Sequence, residues 1–386
     1  MTSNGWQKVP LGEVLTQISR DEPVHPTQEY RLLGTRWYAK GLYIKEVKEG
    51  STIRAARLYR VEEGDFVYNR LFAWKGSFAL ATQDDHDCYV SNEFPCFQIR
   101  DSRLNARFLQ YYMSNSGTWN GALELSSGGT PISRNRLKEA QFLSMPIPLP
   151  DRKEQDRIVA KLDALSARID EVRECYLQIE QEADAMLHSA FARIIEGAPR
   201  MRIADVAPLA RRPVDTTVDG EYLELGVRSF GKGVFHKPTL LGAELTWQKL
   251  FRVHEGDIVI SNIKAWEGAI AVAGPDDDGR VGSHRYLTLV PVEGQVTAGF
   301  LCFYLLTAAG LADIGQASPG SADRNRTLGQ KALEAIEVPI PDYDQQTWFD
   351  RLQTEVRQVL VAQQDAETEL NTLLSAALDK TFKGEL

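Results

Sequence analysis

At 386 residues, with 43% hydrophobic and 25% charged side chains and a net charge of −9, the chain has the make-up of a globular protein with room for two or three domains. No apolar run approaches the ~20 residues that a bilayer-spanning helix needs, and the first residues lack the basic and apolar segments of a secretion signal, so a cytoplasmic protein with no membrane role is expected. Cys88, Cys96, Cys175 and Cys302 are scattered without C-x-x-C spacing and read as free thiols of a reducing compartment.

Read from its start, the chain repeats itself. Adding 192 to a position in the first half finds the same residue in the second: Tyr30, Leu33-Gly34 and Arg36 fall on Tyr222, Leu225-Gly226 and Arg228. Glu63-Gly64-Asp65 falls on Glu255-Gly256-Asp257, Ala73-Trp74 on Ala265-Trp266, and Phe108-Leu109 on Phe300-Leu301. The two Glu-Gly-Asp turns each lead into an expected strand, at residues 66–68 and 258–260. Further strands are expected at 78–81 and 94–99, and at 269–272 and 286–292. Aromatic-bearing helices follow at 104–115 and 299–309, then a Gly/Ser-rich loop, then short amphipathic helices at 137–142 and 330–336. This mixture predicts an α+β unit, with strands too short and irregular for a doubly wound sheet.

Each unit runs into a prolyl stretch, Pro148-Leu149-Pro150-Asp151 or Pro339-Ile340-Pro341-Asp342. Proline fixes φ and keeps its predecessor extended, so these are extended lead-ins, with Asp151 and Asp342 as N-caps. Behind the first come Ile158, Leu162, Leu165, Ile169, Val172, Tyr176, Ile179, Ala183 and Met186; behind the second come Leu352, Val356, Val359, Gln363, Ala366, Leu370, Leu373 and Ala377. Alternating steps of 4 and 3 are the seam of a coiled coil. The expected architecture is two repeated globular domains, 1–150 and 201–341, separated by two long helices, 151–200 and 342–386, packed as an antiparallel coiled coil. A helix of about 45 residues spans on the order of 65 Å, enough for a stiff spacer. An ordinary amphipathic helix pair in a compact fold is the alternative.

Charge follows this division. Residues 1–150 carry 18 basic and 16 acidic side chains, 151–200 carry 8 and 11, 201–341 carry 14 and 17, and 342–386 carry 4 and 9. Much of the acidity therefore belongs to the helices, and a near-neutral domain can still present one basic face.

Enzyme signatures are missing. Gly226-Val227-Arg228-Ser229-Phe230-Gly231-Lys232-Gly233 resembles a phosphate loop, but Gly233 stands where a magnesium-holding Ser or Thr belongs, so it reads as a turn. The six histidines show no metal-ligand spacing, and no nucleophile elbow, methyltransferase or nuclease motif is found. The informative loops mix aromatic, amide and basic residues. Candidate DNA contacts are Asn69, Arg70 and Lys75 in the first tryptophan loop, and Ser127, Gly128, Gly129, Thr130, Ser133, Arg134, Asn135 and Arg136 beyond it. In the second copy they are Asn262, Lys264, Ser283, His284, Arg285, Ser318, Gly320, Ser321, Arg324, Asn325 and Arg326. Arg and Lys suit guanine edges and phosphates, Asn suits adenine, and Ser, Thr and glycine amides suit phosphate oxygens. Trp74 and Trp266 are more often core than contact residues in such loops.

Two unlike globular units, each followed by a long helix behind a Pro-x-Pro lead-in, resemble the specificity subunit of type I restriction-modification enzymes. The segments Ser127-Gly128-Gly129-Thr130-Pro131, Pro146-Ile147-Pro148-Leu149-Pro150 and Glu154-Gln155-x-x-Ile158 carry the resemblance. In the second copy, Ser318-Pro319-Gly320-Ser321-Ala322 and Tyr343-Asp344-Gln345-Gln346 depart from it. The resemblance implies a non-catalytic reader of double-stranded DNA. Each globular unit would be a target recognition domain for one half of an asymmetric bipartite site, reading it in the major groove. The helices would set half-site spacing and dock two methyltransferase subunits, with restriction subunits joining outside. No cofactor would bind this chain; S-adenosylmethionine would sit on the methyltransferase subunits. A coiled-coil scaffold whose globular ends bind proteins is the competing expectation.

Overall fold

The computed structural model describes residues 5–128, 135–245, 249–320, 326–383 and 385. The chain divides into two units, Met1–Tyr176 with Gln364–Leu386, and Leu177–Gln363. Both are mixed α+β.

In the first unit a four-stranded antiparallel sheet runs in the order Leu15–Ile18, Cys96–Ile99, Phe66–Tyr68, Phe78–Leu80. Its aromatic face closes on Phe142 of the short helix Glu139–Ser144, whose ring centroid lies 4.6 Å from Tyr68 and 4.8 Å from Phe97. A second sheet has the order Asp21–Pro23, Arg57–Val61, Cys88–Val90, Glu29–Thr35, Leu42–Glu49. The first prolyl stretch is extended, as proline requires, because Pro146–Pro148 pairs with Lys8–Pro10. The chain's beginning thus clamps the exit into the long helix Arg152–Ile195.

The second unit repeats the plan. Its four-stranded sheet has the order Leu209–Ala210, Tyr286–Leu289, Ile258–Ser261, Ile270–Val272, and Arg200–Arg202 pairs with Glu337–Pro339. The repeat extends to single bridges: Leu32 faces Tyr89 in parallel, and Glu224 faces Val281 the same way. The larger difference lies in the outer hairpin. Glu29–Thr35 and Leu42–Glu49 form one long bulged ladder, whereas the second unit has two short ladders, Leu225–Val227 with Val234–His236 and Glu221–Tyr222 with Leu240–Leu241. The phosphate-loop look-alike is the turn of the first of these ladders, closed by Arg228 N donating to Gly233 O at 3.0 Å.

Helices appear where the Gly/Ser-rich loops were expected to begin directly. Ser116–Leu125 is helical despite two glycines, because Asn115 caps it by accepting from Gly117 N at 2.7 Å and Trp119 Nε1 donates to Met113 O at 2.7 Å. Ala308–Gln316 is its counterpart, capped by Thr307. No single described helix is long and apolar enough to cross a membrane; the bent pair Ala298–Leu306 and Ala308–Gln316 approaches that composition because Phe300, Leu301, Leu305 and Ile314 are core residues.

The long helices run antiparallel. In the first unit the opening turns of Arg152–Ile195 (Ile158, Val159, Leu162) share a core with Leu374, Ala377, Leu378 and Phe382 near the end of Tyr343–Lys383. In the second unit Phe191, near the end of the first helix, packs on Phe300 and on Phe349, near the start of the second. The expected seam needs one correction. Val359 and Leu373 are exposed, at 57% and 47%, and the neighbouring Leu360 and Leu374 turn inward instead. A straight helix of 3.6 residues per turn drifts out of a strict 3.5-residue repeat, and the buried stripe follows the helix.

Candidate nucleic-acid interface

The tryptophan loops are built alike. A turn of 3-10 helix, Ala73–Lys75 or Ala265–Glu267, ends on a glycine at positive φ (Gly76, 69°; Gly268, 75°). A side chain at Gly76 would also strike the Trp119 ring at 2.4 Å, so glycine is required twice over. Three separate segments meet at each loop. Leu137 N donates to Arg70 O at 3.0 Å, and Leu328 N donates to Asn262 O at 2.8 Å, which ties the distal loop to the tryptophan loop in both units. Arg70 N donates to Glu93 O and Asn262 N to Arg285 O, which brings in the strand connection before residues 96 and 286.

Side chains at these junctions differ between the units. Arg70 is held inward by Glu139 and by Asn92 O. Burial pushes the Glu139 carboxyl up, but the hydrogen bond and charge of Arg70 outweigh it and hold the group below the usual carboxylate range. Asn69 Oδ1 accepts from Leu71 N at 2.9 Å, a turn-forming bond. The Lys75 ammonium lies 3.8 Å from the centre of the Trp37 ring, a cation–π contact. Ser127 and Arg136 bridge through their backbones at 3.0 and 3.1 Å, while the Arg136 guanidinium donates to Glu93 at 2.6 Å. Gly128 is exposed and Asn135 half-buried. Gly129, Thr130, Ser133 and Arg134 lie outside the described residues.

In the second unit Lys264 donates to Glu267 at 2.6 Å, which holds Glu267 below the usual carboxylate range. Arg326 stands 5.1 Å over Trp266 and donates to Gly315 O at 3.2 Å. Asn262 Oδ1 and Trp266 Nε1 are buried with no partner among the described residues, whereas Trp74 Nε1 donates to Leu71 O at 3.1 Å. His284 and Arg285 are exposed beside them, and Ser283 ends the strand Val281–Ser283. Ser318 is core: its hydroxyl donates to Ile314 O at 2.7 Å and it is 1% exposed. Gly320 is exposed, and Ser321, Arg324 and Asn325 lie outside the described residues.

The sequence reading missed a neighbouring feature. The turns 36–41 and 228–233 dock on the tryptophan loops, with Tyr38 N and Ala39 N donating to Lys75 O and Gly76 O, and Phe230 N and Gly231 N donating to Glu267 O and Gly268 O. Lys40-Gly41 and Lys232-Gly233 fall at the same station in these turns, but the sequence gives no sign of the exposed rings they carry. Among the described residues, no three His, Cys, Asp or Glu side chains gather as a metal-ligand group.

The family model described as the type I restriction modification DNA specificity domain matches residues 3–181, and the second unit repeats the four-stranded sheet and the clamping strand pair of that matched segment. Residues 3–181 thus resemble the type I restriction-modification DNA specificity domain. No curated protein compared with the chain matches it. Two solved structures are similar along their whole length. One, described as the structural basis of complex assembly and conformational transition of the type I R-M system, has a TM-score of 0.71 at 21% identity, with 100% of each chain covered. The other, the HsdS subunit from Thermoanaerobacter tengcongensis, has a TM-score of 0.58 at 21% identity, covering 100% of this chain and 98% of that one. Both likenesses extend the family's fold to the second unit.

Proposed function

We propose that this chain is the non-catalytic DNA-reading subunit of a type I restriction-modification complex, with each unit reading one half of an asymmetric bipartite site. The observation that carries this reading is the matched bond from Leu137 N to Arg70 O and from Leu328 N to Asn262 O. It gathers separate polar loops at one place in each unit, on a common scaffold, while the side chains there differ. The same scaffold with different side chains suits two readers of different sequences.

The long helices suit partner docking. In the second unit Ile179, Ala183 and Met186 face Leu352, Val356 and Val359 across an open apolar groove of about 510 Å³. Ile179, Met186 and Val359 remain substantially exposed, more apolar surface than a helix pair keeps without a partner. The family's architecture points to methyltransferase subunits as that partner, two per chain, bringing S-adenosylmethionine and the methyl transfer with them. Restriction subunits would join outside, in the cytoplasm where the DNA lies. The partner's own basic surface would offset the chain's net charge of −9 on the phosphate backbone.

Co-expression with the methyltransferase, followed by native mass measurement and binding to genomic DNA fragments, tests the reading. A complex of one chain with two methyltransferases that selects particular fragments supports it. A stable complex with no preference among fragments would mean that the chain is a scaffold.

A further inference from the structure

Tyr38 and Phe230 occupy the same station in the two units, and both break two rules at once. Each is a bulky residue in the left-handed region, at φ 61° and 62°, where side chains other than glycine are strained. Each keeps its ring in solvent, 57% exposed for Tyr38 and 75% for Phe230. The strain is imposed by built contacts. Tyr38 N donates to Lys75 O at 2.8 Å and Phe230 N to Glu267 O at 2.8 Å, so each ring is fixed to a tryptophan loop. Phe230 Cα lies 3.5 Å from the space above Gly268, which leaves the turn seated directly on that loop. The same turns carry Arg36 and Lys40 two residues either side of Tyr38, and Arg228 and Lys232 two residues either side of Phe230. Burial normally claims an aromatic ring, and a strained backbone that holds it out on a turn bearing two cations marks a contact surface.

We infer that Tyr38 and Phe230 are wedge residues, each inserting its ring against the base stack of the half-site its own unit reads. This rests on the DNA-reading proposal above. A ring on a preformed turn meets an unstacked base face with little loss of side-chain freedom, and the flanking cations hold the neighbouring phosphates. Phe230 is the plain wedge. Tyr38 leans on Trp119, with ring centroids 5.7 Å apart, so the first unit offers a two-ring surface.

The test uses the complex with its methyltransferase and the cognate duplex, with 2-aminopurine replacing each adenine of one half-site in turn. The expected result is a fluorescence rise at a wedge position, separate from the rise at the methylated adenine. Phe230→Ala should abolish the wedge signal alone, weaken binding on the order of 10-fold, and leave the methylation-site signal in place. Phe230→Trp should restore both. Phe230→Gly should relieve the backbone and raise the melting temperature while still losing the wedge signal, which a merely structural ring would not do. Wild-type affinity and fluorescence in Phe230→Ala would overturn the inference, and so would loss of the methyltransferase from the complex, which would make the ring a protein contact. A wild-type complex that binds no duplex at all would instead sink the DNA-reading proposal itself.

Discussion

Arg212 grips Asp257 with both ends of its guanidinium, at 2.6 and 3.1 Å, and Arg20 holds Asp65 in the first unit at 2.6 and 3.2 Å. The aspartates are the last residues of the repeated Glu-Gly-Asp turns, and both are buried. Each also accepts a backbone N–H, from His254 in one unit and Glu62 in the other, both at 2.8 to 2.9 Å. Replacing Arg212 with Met leaves a buried carboxylate without its counter-charge and is expected to cost about 3 kcal/mol of stability. Denaturant unfolding of Arg212→Met, and of Arg212→Met with Asp257→Leu, checks this. The double variant should recover part of the loss; an unchanged midpoint in the single variant contradicts the assignment.

Gln155 and Gln346 tie the long helices to their units. Gln155 is fully buried; its Oε1 accepts from Asn105 N at 2.8 Å, and its Nε2 donates to Arg103 O at 2.7 Å and Pro150 O at 2.8 Å. Gln346 repeats this with Thr297 N, Gln295 O and Pro341 O. Gln155→Ala strands three backbone groups, buried or part-buried, and should destabilise by about 3 kcal/mol, read as a lowered melting temperature. Hydrogen exchange should then rise at Asn105 and at the start of the long helix.

Arg285 is exposed beside the open polar groups of Asn262 and Trp266. Arg285→Ala should leave the melting temperature unchanged and relax or weaken one half-site only, by about 1–3 kcal/mol at the affected base pair. Equal effects on both halves would mean that the units do not read independently.

Asp350 lies against the start of the helix Ala298–Leu306, its Oδ1 only 2.5 Å from where a side chain on Gly299 would begin. Burial pushes its carboxyl above the usual range, opposed by bonds from Thr297, Phe300 and Gly299. A raised folded pKa means that the stabilising contribution is present at low pH and is lost as pH rises through the folded value. Asp350→Asn escapes that loss. Its melting temperature relative to the wild type should therefore climb as pH rises above about 4, the ordinary carboxylate range. A relative fall as pH rises would show that the ionised carboxylate is the favoured partner.

Val359 is 57% exposed in the apolar groove of the second unit. If two methyltransferases dock as proposed, Val359→Asp should preserve folding and DNA-free stability but reduce methyltransferase occupancy from two to one, measured by native mass spectrometry.

Much of this was legible in the repeat. The offset of 192 put Glu-Gly-Asp, Ala-Trp and the prolyl stretches in register, and the structure places them in matching elements. What escaped depends on partners distant in sequence. Arg20 and Asp65 are 45 residues apart, so no local pattern reveals why the turn carries an aspartate. Gln155 and Gln346 looked like motif letters until their burial showed what they hold. The helix Ser116–Leu125 has poor intrinsic propensity and exists through its cap and Trp119. Ser318, chosen for its hydroxyl, spends that hydroxyl inside the core. The exposure of Tyr38 and Phe230 follows from a backbone conformation that composition does not encode.

The most direct measurement is long-read methylation mapping of host DNA with the gene present, deleted and restored. An interrupted, asymmetric adenine-methylated motif should vanish on deletion and return with the gene, and Arg285→Ala should alter only one of its halves. A methylome unchanged by deletion, with the protein and its methyltransferase both expressed in the parent strain, would contradict it.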